Sequence, residues 1–353
     1  LKVQIPSNYY PQTRSYVGVW DGSFKVAWSD NPAWCFYDLV TNSRYGLGSY
    51  IAASQVDKWA LYRVAKYCDE LVPDGHGGYE PRFTCNLYLQ TREQAYKVVQ
   101  DMASIFRGLA YWAGGSITVT QDAPQDPVYQ FTAANVVEGD FSYQGSSAKT
   151  RHTVALVTWC DPDDFYRQKV EYVEDMSGIA RYGVVQADVV AFGCTSRGQA
   201  NRVGKWLLYS EQSESEIVTF RTGLEGAVVR PGDVIKVADP GRGGMRLGGR
   251  IAAATLTTIT LDQDLPTGNW TVSVITPSGA VQERQVGSNN GRTVGVTSPF
   301  TETPQSGAIW VLASTQVQPQ LFRVVQVTES EPGVHEVTAL AHNPSKFDAI
   351  EEG

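Results

Sequence analysis

The acidic run at positions 161–164, Asp-Pro-Asp-Asp, is the strongest candidate for chemistry in this sequence. Paired carboxylates can hold a hard cation such as Ca²⁺, or act as the acid and base that cleave a glycosidic bond. The run directly follows a predicted strand, shows no EF-hand spacing and has no obvious second acidic cluster to complete a site. A solvated polar loop is therefore the expected structure. A carbohydrate-acting enzyme that uses Asp161, Asp163 or Asp164 is kept as an alternative.

Two short motifs match signatures of penicillin-recognising serine enzymes, namely the S-x-x-K of Ser146 and Lys149 and the S-D-N of Ser29, Asp30 and Asn31. The two occur in the reverse of the required order, and the sequence contains no K-T-G. Ser146 also lies in a Gly/Ser-rich stretch rather than at the start of an amphipathic helix. We interpret the match as a coincidence.

Two glycine motifs lack the parts that their chemistry requires. His76-Gly77-Gly78 is similar to the oxyanion loop of esterases, but the sequence contains no G-x-S-x-G nucleophile motif. The segment from Gly241 to Arg246 lacks the G-K-[ST] ending of a phosphate loop and opens no predicted helix. A polar turn and a barrel loop are the expected structures.

Histidines and cysteines show no spacing typical of a metal site or of a disulfide framework. We expect buried free thiols and hydrogen-bonded histidines, and no catalytic residue, metal or cofactor. The residues concerned are Cys35, Cys68, Cys85, Cys160, Cys194, His76, His152, His335 and His342.

Composition excludes several classes of protein. The chain has 353 residues, 11% of them aromatic and 19% charged, with a formal net charge of −8. So many rings demand burial, which excludes a disordered or fibrous chain. The negative charge argues against a general electrostatic grip on nucleic acid or an anionic membrane. The apolar stretches are far shorter than the roughly 20 residues that span a bilayer. The start, without Met or a signal sequence, suggests a segment of a longer protein.

The first part of the chain is predicted to be an α/β module at 21–145, preceded by a strand segment at 1–20 that belongs to a neighbouring platform or a linker. Alternating residues predict a hairpin of 16–20 with 24–28, and a strand at 83–89. Four helices have N-terminal capping signals. The capping residues are Asn31, Ser54 with Asp57, Thr91 with Gln94, and Ser196 with Gln199.

The second part is predicted to be mostly β. Residues 146–228 plus 319–347 should form a β-rich platform with one long helix, whose sheet starts near His152 and receives the final hairpin. Six or seven short strands at 229–318 suggest a small closed barrel inserted into that platform. Residues 348–353 are predicted to be a linker. The expected fold class is therefore a multidomain α+β protein.

Long words of this sequence resemble the tail tip attachment proteins of lambda-like phages, the host specificity protein J family. The resemblance covers nearly the whole chain. The matching words lie at 8–14, 20–28, 31–34, 38–48, 67–75, 81–86, 121–124, 159–175 and 230–233.

This resemblance implies a segment of the central hub of a virion tail tip, assembled in the bacterial cytoplasm, with a structural role and no catalysis. Three copies would form a ring that joins the tail tube and other tail-tip proteins to the tip fibre. DNA would pass through its lumen without specific binding, helped by the acidic character of the chain. The receptor would be contacted only by a C-terminal region outside this chain.

A second alternative is a glycan-binding module, because exposed aromatic rings can stack on sugars. The candidate rings are Tyr9, Tyr10 and Trp270. Binding on a glycan array would favour this alternative, and the hub interpretation expects none.

Overall fold

A computed structural model describes residues 2–89, 94–145, 151–243, 246–314 and 318–352. The chain is a mixture of helices and strands that separates into two compact units. The described residues of unit 1 are 2–89, 94–124, 151–212 and 345–352, and those of unit 2 are 125–145, 213–243, 246–314 and 318–344. The predicted mixture of helices and strands is therefore confirmed.

The elements are numbered in chain order. The helices are α1 (Pro32–Thr41), α2 (Lys58–Asp69), α3 (Ala95–Ser104), α4 (Met176–Tyr182), α5 (Arg197–Ser213), α6 (Pro240–Gly243) and α7 (Lys346–Glu352). The strands are β1 (Lys2–Pro6), β2 (Tyr9–Tyr10), β3 (Ser15–Tyr16), β4 (Phe24–Trp28), β5 (Leu71–Pro73), β6 (Tyr79–Pro81), β7 (Gly108–Ala113), β8 (Ser116–Gln121), β9 (Tyr129–Thr132), β10 (Ser142–Gly145), β11 (Val154–Asp161), β12 (Arg167–Glu174), β13 (Gln186–Val190), β14 (Glu216–Thr222), β15 (Val234–Ala238), β16 (Gly248–Ala254), β17 (Thr258–Leu261), β18 (Thr271–Ile275), β19 (Val281–Asn290), β20 (Thr293–Val296), β21 (Ile309–Ala313), β22 (Gln320–Glu331) and β23 (Val334–Ala341).

Helix capping in unit 1 follows the local sequence in part. The side chain of Asn31 accepts a hydrogen bond from the backbone N–H of Ala33 and starts α1, as predicted. The cap of α2 is Asp57, whose carboxylate accepts from two backbone N–H groups, whereas Ser54 lies one turn earlier in a short 3₁₀ helix. Helix α3 begins after Gln94, whose side chain makes no capping bond, and its predicted partner Thr91 lies outside the described residues.

Two predicted strand arrangements in unit 1 are wrong. Strand β4 pairs with β1, with Lys2 opposite Trp28, rather than with 16–20. Residues 2–20 are therefore part of unit 1, and Ile5 of β1 is fully buried in its core. Residues 83–89 form no strand. The backbone N–H groups of Phe83 and Cys85 donate hydrogen bonds to the carbonyls of Cys68 and Asp30, which lie in two different segments and do not form one neighbouring strand.

A buried carboxylate, Asp69 at the end of α2, ties the N-terminal loop to both helices. It accepts hydrogen bonds from Tyr9 at 3.1 Å, Tyr16 at 2.8 Å and Asn31 at 2.8 Å, and pairs with Arg14 at 2.9 Å. Burial raises the pKa of Asp69, although the Arg14 and tyrosine hydrogen bonds act in the opposite direction. The loop that carries Tyr9 and Arg14 is thus fixed by one side chain.

Helix α5 packs on a three-stranded sheet in the order β12-β11-β13. Ser196 accepts from the backbone N–H of Gln199, which confirms the predicted start, but the amide of Gln199 bonds to Thr84 instead of completing a capping box. This sheet is separate from the final hairpin, so the predicted union of the two is wrong. It groups with unit 1 rather than with 213–344.

Unit 2 contains a six-stranded sheet in the order β10-β14-β23-β22-β15-β9. Strands β9 and β10, expected in the first module, belong to this sheet. The final hairpin, β22 with β23, turns at Gly333 with a φ of 76°, as its Pro-Gly sequence predicts.

The predicted small barrel is confirmed as a closed ring of six strands in the order β16-β17-β20-β19-β18-β21. It is inserted between β15 and β22, which are neighbours in the six-stranded sheet. Strand β15 lies in that sheet, so the barrel strands begin later than the predicted 229. The barrel core is apolar and includes Trp310, which is fully buried.

Residues 346–352 form helix α7, where a linker was expected. Phe347 and Ile350 are buried, and Arg82 forms an ion pair with Glu351 at 2.6 Å. The helix is therefore held to unit 1 by apolar burial and by charge, although it lies far from the rest of the unit in sequence.

Replacing Ile350 with alanine is expected to lower the free energy of unfolding of unit 1 by about 2–3 kcal/mol, the low end for an aliphatic truncation because α7 is short and terminal. Urea unfolding followed by hydrogen exchange in α2 would measure the loss. Glu352→Ala, at an exposed position of the same helix, is the control. Equal stability of the two variants would contradict docking of α7.

Candidate functional site

The acidic run forms the turn between β11 and β12. Asp161 ends β11, and its Oδ1 accepts from the backbone N–H of Asp163 at 2.9 Å to start a 3₁₀ turn at Pro162–Asp164. Its Oδ2 accepts from Lys169 at 2.5 Å, and this hydrogen bond lowers the pKa of Asp161. Asp161 therefore stays ionised at neutral pH and serves the turn, which does not suit a general acid.

The remaining carboxylates of the run do not converge on a reaction centre. Asp164 lies 3.4 Å from Arg167 and 3.8 Å from Lys169, so cations on β12 partly neutralise it. Asp163 is exposed. Within the described residues, no three His, Cys, Asp or Glu side chains come together as a metal ion would require. The geometry supports the solvated loop.

This turn presents two aromatic rings, which sequence reasoning missed. Phe165 and Tyr166 have φ values of 53° and 57°, and their side chains are 86% and 64% exposed. Bulky residues rarely adopt this left-handed conformation, which costs about 1–3 kcal/mol per residue and occurs mainly at functional positions. The backbone N–H of Tyr166 donates to the carbonyl of Asp161 at 2.7 Å, which locks the arrangement. The sequence signal that could have revealed these exposed rings is the pair of aromatic residues directly after the Pro-Asp-Asp turn.

Apolar side chains continue from the turn onto the outer face of the sheet. Val170 and Tyr172 of β12 lie beside Thr158 and Leu156 of β11, and Val190 of β13 lies on the other side of Thr158. Val170, Tyr172 and Val190 are each more than half exposed, whereas the opposite face packs on α5. We call Phe165, Tyr166, Val170, Tyr172 and Val190 the tip surface.

A second exposed apolar surface lies on the β1–β4 ribbon. Trp28 is opposite Lys2, and Val26 is opposite Gln4, so the four side chains share the outer face of the ribbon. Val26 and Trp28 are 67% and 54% exposed. We call these four residues the ribbon surface.

Of the three rings proposed to bind a glycan, two are not accessible. Tyr9 is buried against Asp69, and Trp270 is buried in the barrel with its Nε1 bonded to the Pro266 carbonyl at 2.8 Å. Tyr10 is half exposed, and the Lys25 amino group lies 4.5 Å from its ring centroid. The expectation of three exposed rings is wrong, because Tyr9 of β2 and Trp270, which directly precedes β18, are buried in the cores of their units.

The serine-enzyme and esterase motifs have structural roles where the chain is described. Asn31 caps α1, and Asp30 pairs with Arg14. The motif of Ser146 and Lys149 lies outside the described residues. At His76, the carboxylate of Asp74 accepts from two backbone N–H groups and closes a polar turn, as expected.

The described residues of the glycine-rich segment and the histidines do not come together as a reactive site either. Residues 241–243 continue the short helix α6, Arg242 pairs with Glu216, and Gly244 and Met245 lie outside the described residues. The predicted hydrogen bonds of three histidines are confirmed. The pairs are His152 with Glu211, His335 with the Gly223 carbonyl, and His342 with Glu214.

All five cysteines are free, as predicted; Cys68, Cys85 and Cys194 are buried, whereas Cys35 and Cys160 are only half-buried and differ from the prediction in this respect. None of the described helices combines the length and apolar character needed to cross a bilayer. A cavity of about 370 Å³ in unit 2 is lined by a single carboxylate, Glu225, which lies 3.7 Å from Arg250. The cavity lining therefore does not supply the two carboxyl groups that cleavage of a glycosidic bond requires.

Asp161→Ala is expected to loosen the turn, because it removes both the cap and the partner of Lys169. Hydrogen exchange of residues 161–167 should become several times faster. Asp161→Asn is the matched variant, since its amide oxygen retains the cap and loses only the charge, and its exchange should be intermediate. Unchanged exchange in Asp161→Ala would show that the side chain does not hold the turn.

The β11–β12 turn exposes two aromatic rings, and Asp161 of the same turn is engaged by Lys169. A family model described as "Putative phage tail protein" matches residues 94–254, so this part of the chain is similar to phage tail proteins.

More specifically, the chain is similar over its whole length to the tip attachment proteins J of phages. It is 37% identical to tip attachment protein J of Escherichia phage SECphi27 over 99% of its length, and 34% identical to that of Escherichia phage SECphi4 over 100%. It spans 30% and 31% of the length of these curated relatives. The resemblance inferred from the sequence is confirmed.

A solved structure titled "Virion of native gene transfer agent (GTA) particle" contains a chain similar to this one at 12% identity and a TM-score of 0.43. The match covers 80% of this chain and 47% of that one. This TM-score is too low to support a conclusion.

Proposed function

We propose that this chain is a segment of the central hub of a phage tail tip, where it forms a homotrimer that joins the tail tube to the tip fibre. The observation that carries the proposal is the identity with protein J over the whole chain. Host receptor contact is assigned to regions outside this chain, and assembly to the host cytoplasm. In this proposal the two units and the inserted barrel are rigid building blocks of the ring.

The hub is proposed to act without catalysis. Asp161 is engaged by Lys169, and Asp164 lies close to two cations, so this run supplies no free acid and base pair. Asp161→Ala, Asp163→Ala and Asp164→Ala should therefore leave glycan-degrading activity of assembled tails unchanged. A loss of cleavage with intact assembly would favour the carbohydrate-acting alternative.

Passage of DNA is proposed to exploit the net charge of −8, because like charges repel the phosphate backbone. The acidic side chains should then be concentrated on the channel wall of the trimer. A neutral or basic wall in a structure of the assembled tip would contradict this part of the proposal.

Mass measurement by light scattering tests the homotrimer. The purified chain should approach three times its 38.7 kDa mass as its concentration rises. A mass that remains that of a monomer or dimer, in the chain and in tips released from particles, would overturn the trimeric hub.

A further inference from the structure

We propose that unit 1 carries both halves of one head-to-tail contact, in which the tip surface of one copy docks on the ribbon surface of the next copy. The inference rests on the proposed function, because that function requires copies of the chain to associate. It adds the residues through which they would do so.

The tip surface has the properties of an anchor. Phe165 and Tyr166 are held outward by a turn that Asp161 fixes from both its side chain and its carbonyl, so little conformational freedom remains to be lost on binding. Aromatic side chains offer about 150–250 Å² each, and three rings more than half exposed present on the order of 400 Å². The largest apolar patch of a typical monomer is about 300–600 Å² and is often functional, so a surface of this size is a candidate interaction site.

The ribbon surface is a suitable acceptor. The two-stranded ribbon has α1 beside β1, where the backbone N–H of Gln4 donates to Asp38, but among the described residues β4 has no strand on its outer side. Trp28 and Val26 therefore lie next to an open strand edge, which can accept backbone hydrogen bonds as well as side chains.

Charge favours a second copy of this chain as the occupant. Glu174 and Asp188 are exposed acidic residues on the same face as Tyr172 and Val190, because each lies two residues away along the same strand, whereas Lys2 is an exposed cation within the ribbon surface. Opposite charges on the two surfaces of one unit attract between copies and disfavour pairing of like with like. A contact between two different surfaces is heterologous, and repeated heterologous contacts form a ring when the rotation from one copy to the next closes on itself.

A ring uses both surfaces of every copy. A stable interface buries about 800 Å² per partner, which is about twice what the rings of the tip surface offer, so each contact also has to include residues around the two surfaces. In a ring, each copy contributes its tip surface to one neighbour and its ribbon surface to the other. Neither surface then remains exposed in the assembly.

Photocrosslinking tests the contact directly. p-Benzoylphenylalanine is incorporated in place of Tyr166, and equal amounts of this unlabelled chain and of ¹⁵N-labelled wild-type chain are mixed and irradiated. Mixed-isotope crosslinks are expected at residues 2–28. The same probe in place of Tyr50, which is exposed outside both surfaces, is the control and should give none there. Crosslinks that map elsewhere, or to residues 2–28 only within one copy, overturn the contact.

Phe165→Asp and Trp28→Asp should each weaken self-association at least tenfold, and Tyr50→Asp should leave it unchanged. Circular dichroism of each variant confirms that it is folded. If the variants trimerise like the wild-type chain, the docking inference fails while the hub proposal stands. If the wild-type chain and the released tips are not trimeric, both fail.

Discussion

Replacing Asp69 with alanine is expected to destabilise unit 1 by about 3–5 kcal/mol, because it removes the acceptor of several buried hydrogen-bond donors, each of which costs about 1–3 kcal/mol when left unsatisfied. The change leaves the hydroxyls of Tyr9 and Tyr16 without their acceptor and removes one of the two carboxylates that Arg14 contacts. Buried donors that lose their acceptor pay the full cost of desolvation. The N-terminal loop should therefore detach, and the ribbon with it.

Urea unfolding measures this loss, with hydrogen exchange in α1 and α2 as the readout because the two units can unfold separately. Asp163→Ala is the matched control, since Asp163 is an exposed aspartate of the same unit. The barrel strands should keep their protection in both variants. If Asp69→Ala is as stable as Asp163→Ala, the cluster does not hold the loop.

Replacing Trp310 with alanine is expected to cost about 3–5 kcal/mol in the barrel. The side chain is fully buried in β21 between β16 and β18, and its Nε1 donates to Asp262 at 3.0 Å. Its removal leaves a large cavity in a ring of six short strands and leaves Asp262 without that donor. Such a small core has few other contacts with which to compensate.

Hydrogen exchange of β16–β21 measures the effect, and unit 1 serves as the internal reference. Trp112→Ala is the control substitution, because Trp112 lies on a hairpin of unit 1 and is more than half exposed. We expect loss of protection in the barrel and little change in α2. Equal protection in Trp310→Ala and wild type would mean that the ring is stabilised without this side chain.

Local signals predicted the elements whose stabilising contacts are close in sequence. Asn31 and Ser196 start helices as expected, because a cap bonds to backbone groups two or three residues away. The hairpin at Gly333 and the barrel strands followed from turn residues at short spacing. The free cysteines and the bonded histidines followed from the lack of any paired spacing.

Distant partners account for the errors. Strand β4 has an adjacent apolar run at 16–20, yet it pairs with β1, because that pairing buries Ile5. The residues at 346–352 carried no strong helix signal. Helix α7 is held by the ion pair of Glu351 with Arg82, which is far away in the sequence. The amino-acid pattern of β11 gave no indication of which sheet it would join.

In the candidate site, too, some features could be predicted from the sequence and others depend on residues outside the turn. The Pro-Asp-Asp turn and its solvated character were readable in the sequence, since Asp161 caps its own neighbours. The outward placement of Phe165 and Tyr166 depends on Lys169 across the hairpin and on α5 covering the other face of the sheet. The exposure of a ring depends on the residues that pack around it. Tyr9 and Tyr10 are adjacent in the sequence, yet Tyr9 is buried and Tyr10 is half exposed.

The starts of α1 and α5, the turn at Gly333 and the closed barrel could be predicted from the sequence, because the signals for them lie between near neighbours, and the class of protein followed from the resemblance of long words. The pairing of strands, the sheet that the final hairpin joins and the aromatic rings that face solvent became evident only in the folded structure. Those outcomes depend on burial against residues far away in the chain, where many alternative partners are nearly equivalent in pattern and differ only in the core that they complete.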